Sequence, residues 1–170
     1  MEKMVILGGA RLSGSVDISG AKNSAVAILV AAIMIKGKCH IENVPHVSDI
    51  DDLIEIINNL GGKAEFTDKG VVDIDCTNLE KMEATYDKVR KIRASSYLMG
   101  ALLGRFKNAR VALPGGCDFG VRPLDQHMKG FEALGADINI EHGMVELSAK
   151  ELKGDNVYLD VVSVGATINI

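Results

Sequence analysis

Apolar positions along the chain fall into short alternating bursts and longer helical stripes, and the order of these bursts repeats. Residues 4–7 and 15–19 predict two short strands joined by the Gly8-Gly9 turn and the stretch 11–14. Residues 25–35 are apolar on every side, which predicts a helix buried all round. Its entry, Ser19-Gly20-Ala21-Lys22-Asn23-Ser24, is polar. Residues 38–44 predict a strand. Next comes an amphipathic helix over 49–60, with Ile50, Leu53, Ile54, Ile57 and Leu60 on one face, Ser48 or Asp49 as its cap and Gly61-Gly62 as its stop. Residues 63–66 and 71–75 predict a hairpin around Asp68-Lys69-Gly70.

The same order then recurs. Residues 93–103 predict a second, mostly apolar helix with a basic, hydroxyl-rich entry, and 110–113 a strand. Leu124, Met128, Phe131 and Leu134 line an amphipathic helix closed by Gly135. Residues 137–140 and 144–148 predict a hairpin around Glu141-His142-Gly143, and 156–162 a further strand. Ala21, Ala94 and Ala166 occupy the same place in successive units, about seventy residues apart, and Leu60-Gly61-Gly62 matches Leu134-Gly135-Ala136. The third unit has barely begun at Ile170, which suggests a piece of a longer chain. The second copy is longer between its strand-ending proline and its helix-ending Leu-Gly. The extra length lies in Leu113-Pro114-Gly115-Gly116-Cys117-Asp118-Phe119-Gly120-Val121-Arg122-Pro123, a glycine- and proline-rich loop bearing a thiol. An insertion in one copy of a repeat marks function more often than fold.

Composition narrows the classes. A 170-residue chain with 47% apolar and 25% charged residues can bury a core. A net charge of −4, no Trp and 4% aromatic residues argue against a nucleic-acid binder. The longest apolar run is too short to span a bilayer, and the N-terminus lacks a signal-peptide pattern. Cys39, Cys76 and Cys117 have no zinc-type spacing, and free thiols suit a reducing cytoplasm; no metal and no cofactor are expected.

The candidate chemistry centres on the long loop and the helix entries. Cys117 could be a nucleophile, a proton donor or a redox thiol, activated by Arg122 and the following helix entry and opposed by Asp118; the plain alternative is a loop cysteine without a role. Cys39 and Cys76 sit in strand patterns and read as packed residues. Lys22, Arg93 and Arg122 each stand at or just before a helix start, where a phosphate or carboxylate would be held by cations and backbone N–H groups together. Any one of them alone would read as solvated charge. Asp125, Gln126 and His127 could orient a polar substrate, or be a dipole-favoured carboxylate and surface groups. The Asp49-Asp51-Asp52 cluster reads as helix-start charge.

These residues carry a resemblance along the whole chain. Gly20-Ala21-Lys22-Asn23-Ser24-Ala25, Arg93-Ala94-Ser95, Pro114-Gly115-Gly116-Cys117, Arg122-Pro123-Leu124-Asp125-Gln126-His127 and Ser163-Val164-Gly165-Ala166-Thr167 are similar to motifs of the UDP-N-acetylglucosamine 1-carboxyvinyltransferases, which are enolpyruvyl transferases. The family enzyme is more than twice as long, so only its N-terminal part is matched. The resemblance implies an α/β (α+β) fold: an inside-out α/β barrel of repeated βαβαββ units, here incomplete, with helices inside and sheets outside. Residues 1–20 would belong to the other lobe. Residues 21–170 would form a partial lobe with two full units and the start of a third, completed by a missing C-terminal half.

The implied activity is transfer of the enolpyruvyl group of phosphoenolpyruvate to the 3-hydroxyl of UDP-N-acetylglucosamine with release of phosphate, the first committed step of peptidoglycan synthesis. Lys22 and Asn23 would meet phosphoenolpyruvate, with Arg122 helping to hold its phosphate. Arg93 and the stretch Arg122, Pro123, Leu124, Asp125 and Gln126 would lie along the UDP-sugar, and Ser163, Val164 and Gly165 would contact the uridine diphosphate. Cys117 would be the loop thiol that adds to phosphoenolpyruvate, donates a proton and is alkylated by fosfomycin. Many relatives carry Lys where this chain has Val161, and the base that accepts the sugar proton would lie beyond Ile170, so the isolated chain is expected to be inactive. The rival readings are a shikimate-type enolpyruvyl transferase, a non-catalytic UDP-sugar-binding module and a thiol redox protein. The first lacks an equivalent Pro-Gly-Gly-Cys loop, the second lacks a regulatory domain here, and the third needs a resolving cysteine near Cys117.

Overall fold

The computed structural model describes residues 3–84, 89, 95–113 and 124–170. The repeat read from the sequence is present as two sheets of the same strand order. In the first unit, helix α1 (Lys22–Ala32) leads to β1 (Lys38–Ile41), α2 (Ser48–Asn59), β2 (Lys63–Asp68) and β3 (Val71–Asp75). The second runs β4 (Glu83–Ala84), α3 (Ser95–Phe106), β5 (Asn108–Ala112), α4 (Asp125–Ala133), β6 (Asp137–Glu141) and β7 (Met144–Ser148). Helix α5 (Val164–Asn169) follows. The first sheet is ordered β1-β3-β2 and the second β4-β5-β7-β6, so the second matches the first with β4 added at its edge. The hairpins are antiparallel, with Ala64 opposite Ile74, a register shift between Phe66 and Asp68, and Ile138 opposite Leu147, while β4 pairs parallel with β5.

Each unit buries the helix stripe that its spacing demands. In α2, Ile50, Leu53, Ile56 and Ile57 are buried, and the helix stops at Gly61, whose φ of 100° suits a residue without a Cβ. Alternation in β3 puts Val72 and Ile74 into the core, with Asp73 and Asp75 on the other face. Leu98, Met99, Leu102 and Leu103 of α3 and Phe131 of α4 complete the core. Successive repeat helices are neighbours: α1 packs against α3, and α3 against α5.

Three expectations are corrected. Residues 3–20 form no strand, and Met4, Ile6 and Leu7 stand exposed, because a strand exists only by pairing and no described segment pairs with them. Residues 156–162 form no strand either; the Asp160 N–H, which a ladder would use, donates to Gln126 Oε1 at 2.8 Å. Helix α1 is not buried all round. Leu29, Val30 and Ile33 are enclosed, but Ile28 is 51% exposed and Ala31 faces outward. The described residues form a mixed α/β structure in two open sheets, without a closed barrel.

Candidate ligand-binding edge at the helix entries

The sequence places its candidate residues at helix entries, and the structure describes three of those entries. At α1, Lys22 is the first helical residue, with Ala21 as an N-cap that offers no side-chain bond. A cation there opposes the helix dipole. Asp49, in the first turn of α2, offsets it through a 2.7 Å ion pair to Lys22 Nζ. The acidic cluster at the α2 start therefore also neutralises a cation on a neighbouring helix. Asn23 follows on the exposed side of the same turn.

The entries of α4 and α5 are tied together. Leu124 is the α4 N-cap, and Asp125 lies in the first turn, where the dipole favours it. Gln126 is 6% exposed and its amide is satisfied within the protein: Nε2 donates to Asp125 Oδ2 at 2.9 Å and to Asp160 Oδ2 at 3.5 Å, and Oε1 accepts from the Asp160 N–H. Lys129 Nζ reaches the other Asp160 oxygen at 2.7 Å, and this hydrogen bond, followed by the one from Gln126, holds the Asp160 carboxyl below the ordinary carboxylate range. Gln126 thus anchors the segment that leads into α5. Val161 stands exposed beside it, with no charge to offer.

Ser163 caps α5: its Oγ accepts from the Ala166 N–H at 3.2 Å, and its carbonyl accepts from the Thr167 hydroxyl at 2.8 Å. Val164 is exposed. Gly165 lies against the ring of His127, so a Cβ added there would sit 3.3 Å from Nε2. His127 is 5% exposed, and burial holds its pKa below the ordinary histidine value against the pull of Asp125. Asn169 Nδ2 lies 2.9 Å from His127 Nδ1.

The structure therefore joins Leu124, Asp125 and Gln126 with Ser163, Val164 and Gly165 along one edge, and places Lys22 and Asn23 at the start of a different helix. Arg93, Cys117, Arg122 and Pro123 lie outside the described residues. Sequence reasoning missed Asp160, Lys129 and Asn169. Asn169 is the last residue of α5, between Ile168 and Ile170, and its polarity between two isoleucines was the available signal. Cys76 is fully buried, which pushes its thiol pKa up, and Cys39 is partly buried, in line with packed residues. Among the described residues no group of three or more His, Cys, Asp or Glu could hold a metal ion, and no helix is long and apolar enough to cross a membrane.

Comparison with known proteins identifies relatives of the chain. A family model described as EPSP synthase (3-phosphoshikimate 1-carboxyvinyltransferase) matches residues 6–170. The chain is 57% identical over 171 residues to a UDP-N-acetylglucosamine 1-carboxyvinyltransferase of Clostridium botulinum, covering 100% of this chain and 41% of that protein. It is 53% identical over 170 residues to UDP-N-acetylglucosamine 1-carboxyvinyltransferase 2 of Bacillus subtilis, covering 100% and 40%. The chain spans about two fifths of the length of these curated relatives. Among solved structures, the enolpyruvyl transferase NikO from Streptomyces tendae is similar with a TM-score of 0.72 and 29% identity, over 85% of this chain and 32% of that one. An EPSP synthase from Acinetobacter baumannii gives 0.66 and 18% identity over 92% and 36%, a likeness of fold.

Proposed function

The chain belongs to the EPSP synthase (3-phosphoshikimate 1-carboxyvinyltransferase) family, and from that premise we propose that it is the N-terminal part of an enzyme that transfers enolpyruvate from phosphoenolpyruvate to the 3-hydroxyl of UDP-N-acetylglucosamine. The observation that carries the substrate choice is the 57% identity, along the whole chain, to a relative named for that sugar, against 18% to an EPSP synthase structure.

In the proposed reaction the sugar oxygen bonds to C2 of phosphoenolpyruvate while C3 takes a proton. The adduct then loses a proton from C3 and phosphate from C2, so that atoms and charge balance. Cys117 supplies the first proton. Lys22, Asn23 and Arg122 hold phosphoenolpyruvate, where fixed cations stabilise the charge that develops on the phosphate. Arg93, Arg122, Pro123, Leu124, Asp125 and Gln126 line the UDP-sugar, and Ser163, Val164 and Gly165 meet its diphosphate. The Lys22–Asp49 pair supports this reading: a lysine set against a helix dipole costs stability and suits a site that needs a cation. Gln126 acts on this reading through its backbone and through Asp160. Residues 1–20 belong with a second lobe, which also supplies the base for the sugar proton. The step is one of peptidoglycan synthesis in the cytoplasm, and Cys117 is the residue that fosfomycin alkylates.

The test measures phosphate release by the chain extended to the length of its relatives, with UDP-N-acetylglucosamine or shikimate 3-phosphate as acceptor. Turnover with the UDP-sugar alone, abolished by Lys22→Ala and absent from the isolated 170 residues, is expected. Turnover with shikimate 3-phosphate, or by the isolated chain, overturns the reading.

A further inference from the structure

Asn169 directs three hydrogen bonds through its amide, and the two backbone partners among them have a fixed polarity. The Gly100 N–H can only donate, so it faces Asn169 Oδ1, at 2.9 Å. The Ser96 carbonyl can only accept, so it faces Nδ2, at 2.8 Å. These two bonds fix which end of the amide is nitrogen. The second Nδ2 hydrogen then points at His127 Nδ1, at 2.9 Å, and that ring nitrogen must accept. The proton of a neutral His127 therefore sits on Nε2, the atom against Gly165 at the α5 entry. Among the described residues, Nε2 has no hydrogen-bond partner, although the ring is almost completely enclosed.

The packing around Asn169 is equally specific. A Cβ at Gly100 would collide with the backbone and side-chain oxygens of Asn169, and one at Gly130 with the side chain of Ile170. Two glycines, one on α3 and one on α4, thus let α5 approach closely enough for the amide to reach three groups on those helices. Among the described residues, few charged or titratable groups face His127. Asp125 on α4 favours its protonation, Tyr97 on α3 lies near Gly165, and α5 brings no charged side chain.

We propose that Asn169 is a positioning residue: it locks His127 as the neutral, Nε2-protonated tautomer and, through that ring, sets the Ser163–Gly165 edge in the pose that meets the UDP-sugar. The ligand part rests on the function proposed above; the tautomer part does not. An imidazolium would place an Nδ1–H against the Asn169 Nδ2 donors, so the lock also keeps a titrating charge away from the edge.

The test is nitrogen-15 NMR of the His127 imidazole through a pH titration, in the chain extended to the length of its relatives and in its Asn169→Asp variant, with the Ser163–Gly165 amides followed during titration with UDP-N-acetylglucosamine. In the unsubstituted chain Nδ1 is expected to be unprotonated and Nε2 protonated. An aspartate side chain accepts at both oxygens, so the variant is expected to gain a proton at Nδ1, to raise the His127 pKa and to weaken sugar binding by about three- to tenfold. A purely structural asparagine would lower stability without exchanging the protonated nitrogen. Protonation at Nδ1 in the unsubstituted chain overturns the proposal even if the variant fails to fold. An unchanged tautomer and pKa in a folded variant also overturns it. A locked tautomer with no response to the UDP-sugar supports the lock and counts against the substrate reading alone.

Discussion

The two repeat units share a strand order, yet their helices are met by different neighbours. Aligned on Ala21 and Ala94, Ala27 of α1 stands where α3 has Gly100; aligned on Leu60 and Leu134, Ile56 of α2 stands where α4 has Gly130. In the second unit both glycines are covered at close range by α5, through Asn169 and Ile170. In the first, Ile56 is itself buried in the core and α1 leaves Ile28 half exposed. The same pattern of strands and stripes therefore builds two different surfaces. The two glycines thus let α5 lie against α3 and α4 at positions where a side chain would block it. The units also meet through one residue. Arg105, at the end of α3, donates to the carbonyls of Ile33 and Ile35 at the end of α1 and to those of Cys76 and Leu79 beyond β3. Carbonyls that α1 leaves without helical partners are thus satisfied from the second unit.

The joint between the units is the point at which the comparison breaks most easily. Arg105→Ala leaves several carbonyls of the first unit without a donor and is expected to lower stability by about 3 kcal/mol in equilibrium urea unfolding. Arg105→Lys should recover only part of this, because an ammonium lacks the guanidinium fork. A loss below half of that value for the alanine variant would mean that solvent replaces the arginine readily.

The glycine difference predicts a smaller and asymmetric pair of effects. Gly100→Ala should destabilise by about 2 kcal/mol, since α5 must move away, even though alanine favours a helix. Ala27→Gly at the matching position should cost about 1 kcal/mol by helix propensity alone. A stabilising Gly100→Ala would show that α5 does not sit this closely in solution.

The smallest effect is one of pH and separates the units by a single histidine. His127 of the second unit is buried, and its pKa in the fold lies below the unfolded value. Between those two values the unfolded chain binds the extra proton, so the stabilisation from neutral His127 is complete above the unfolded pKa and is lost as pH falls through the folded one. His40 of the first unit is exposed, and its hydrogen bond to Asp73 raises its pKa, so its contribution has the opposite sign and is lost as pH rises through the folded value. The pH slope of the unfolding midpoint across the histidine range should therefore change in opposite directions for His127→Gln and His40→Gln relative to the unsubstituted chain. Parallel changes would remove the distinction.

Much of the fold was legible because it rests on local rules. The α2 stripe ended by Gly61, the hairpin of β2 and β3 and that of β6 and β7 all lie where periodicity and turn residues put them. The two-residue strand β4 was too short to leave an alternation, and it exists because Glu83 and Ala84 meet Arg110 and Val111 of β5. Within the candidate site, Lys22 and Ser163 were legible as helix-entry residues. The partners that define their surroundings, Asp49 and the Gln126–Asp160 contact, come from other elements.

By itself the sequence determined the repeat, the helix entries and the residue types gathered at them, because hydrophobic period, glycine stops and capping act within a few residues. Only the tertiary structure decided which strand-like stretches become strands, which face of α1 is covered and which nitrogen of His127 carries the proton. Each of those depends on a partner distant along the chain. Residues 3–20 and 156–162 have strand-like patterns but gain no ladder among the described residues, and Asn169 acquires its role only where Gly100 and Gly130 let it reach Ser96 and His127.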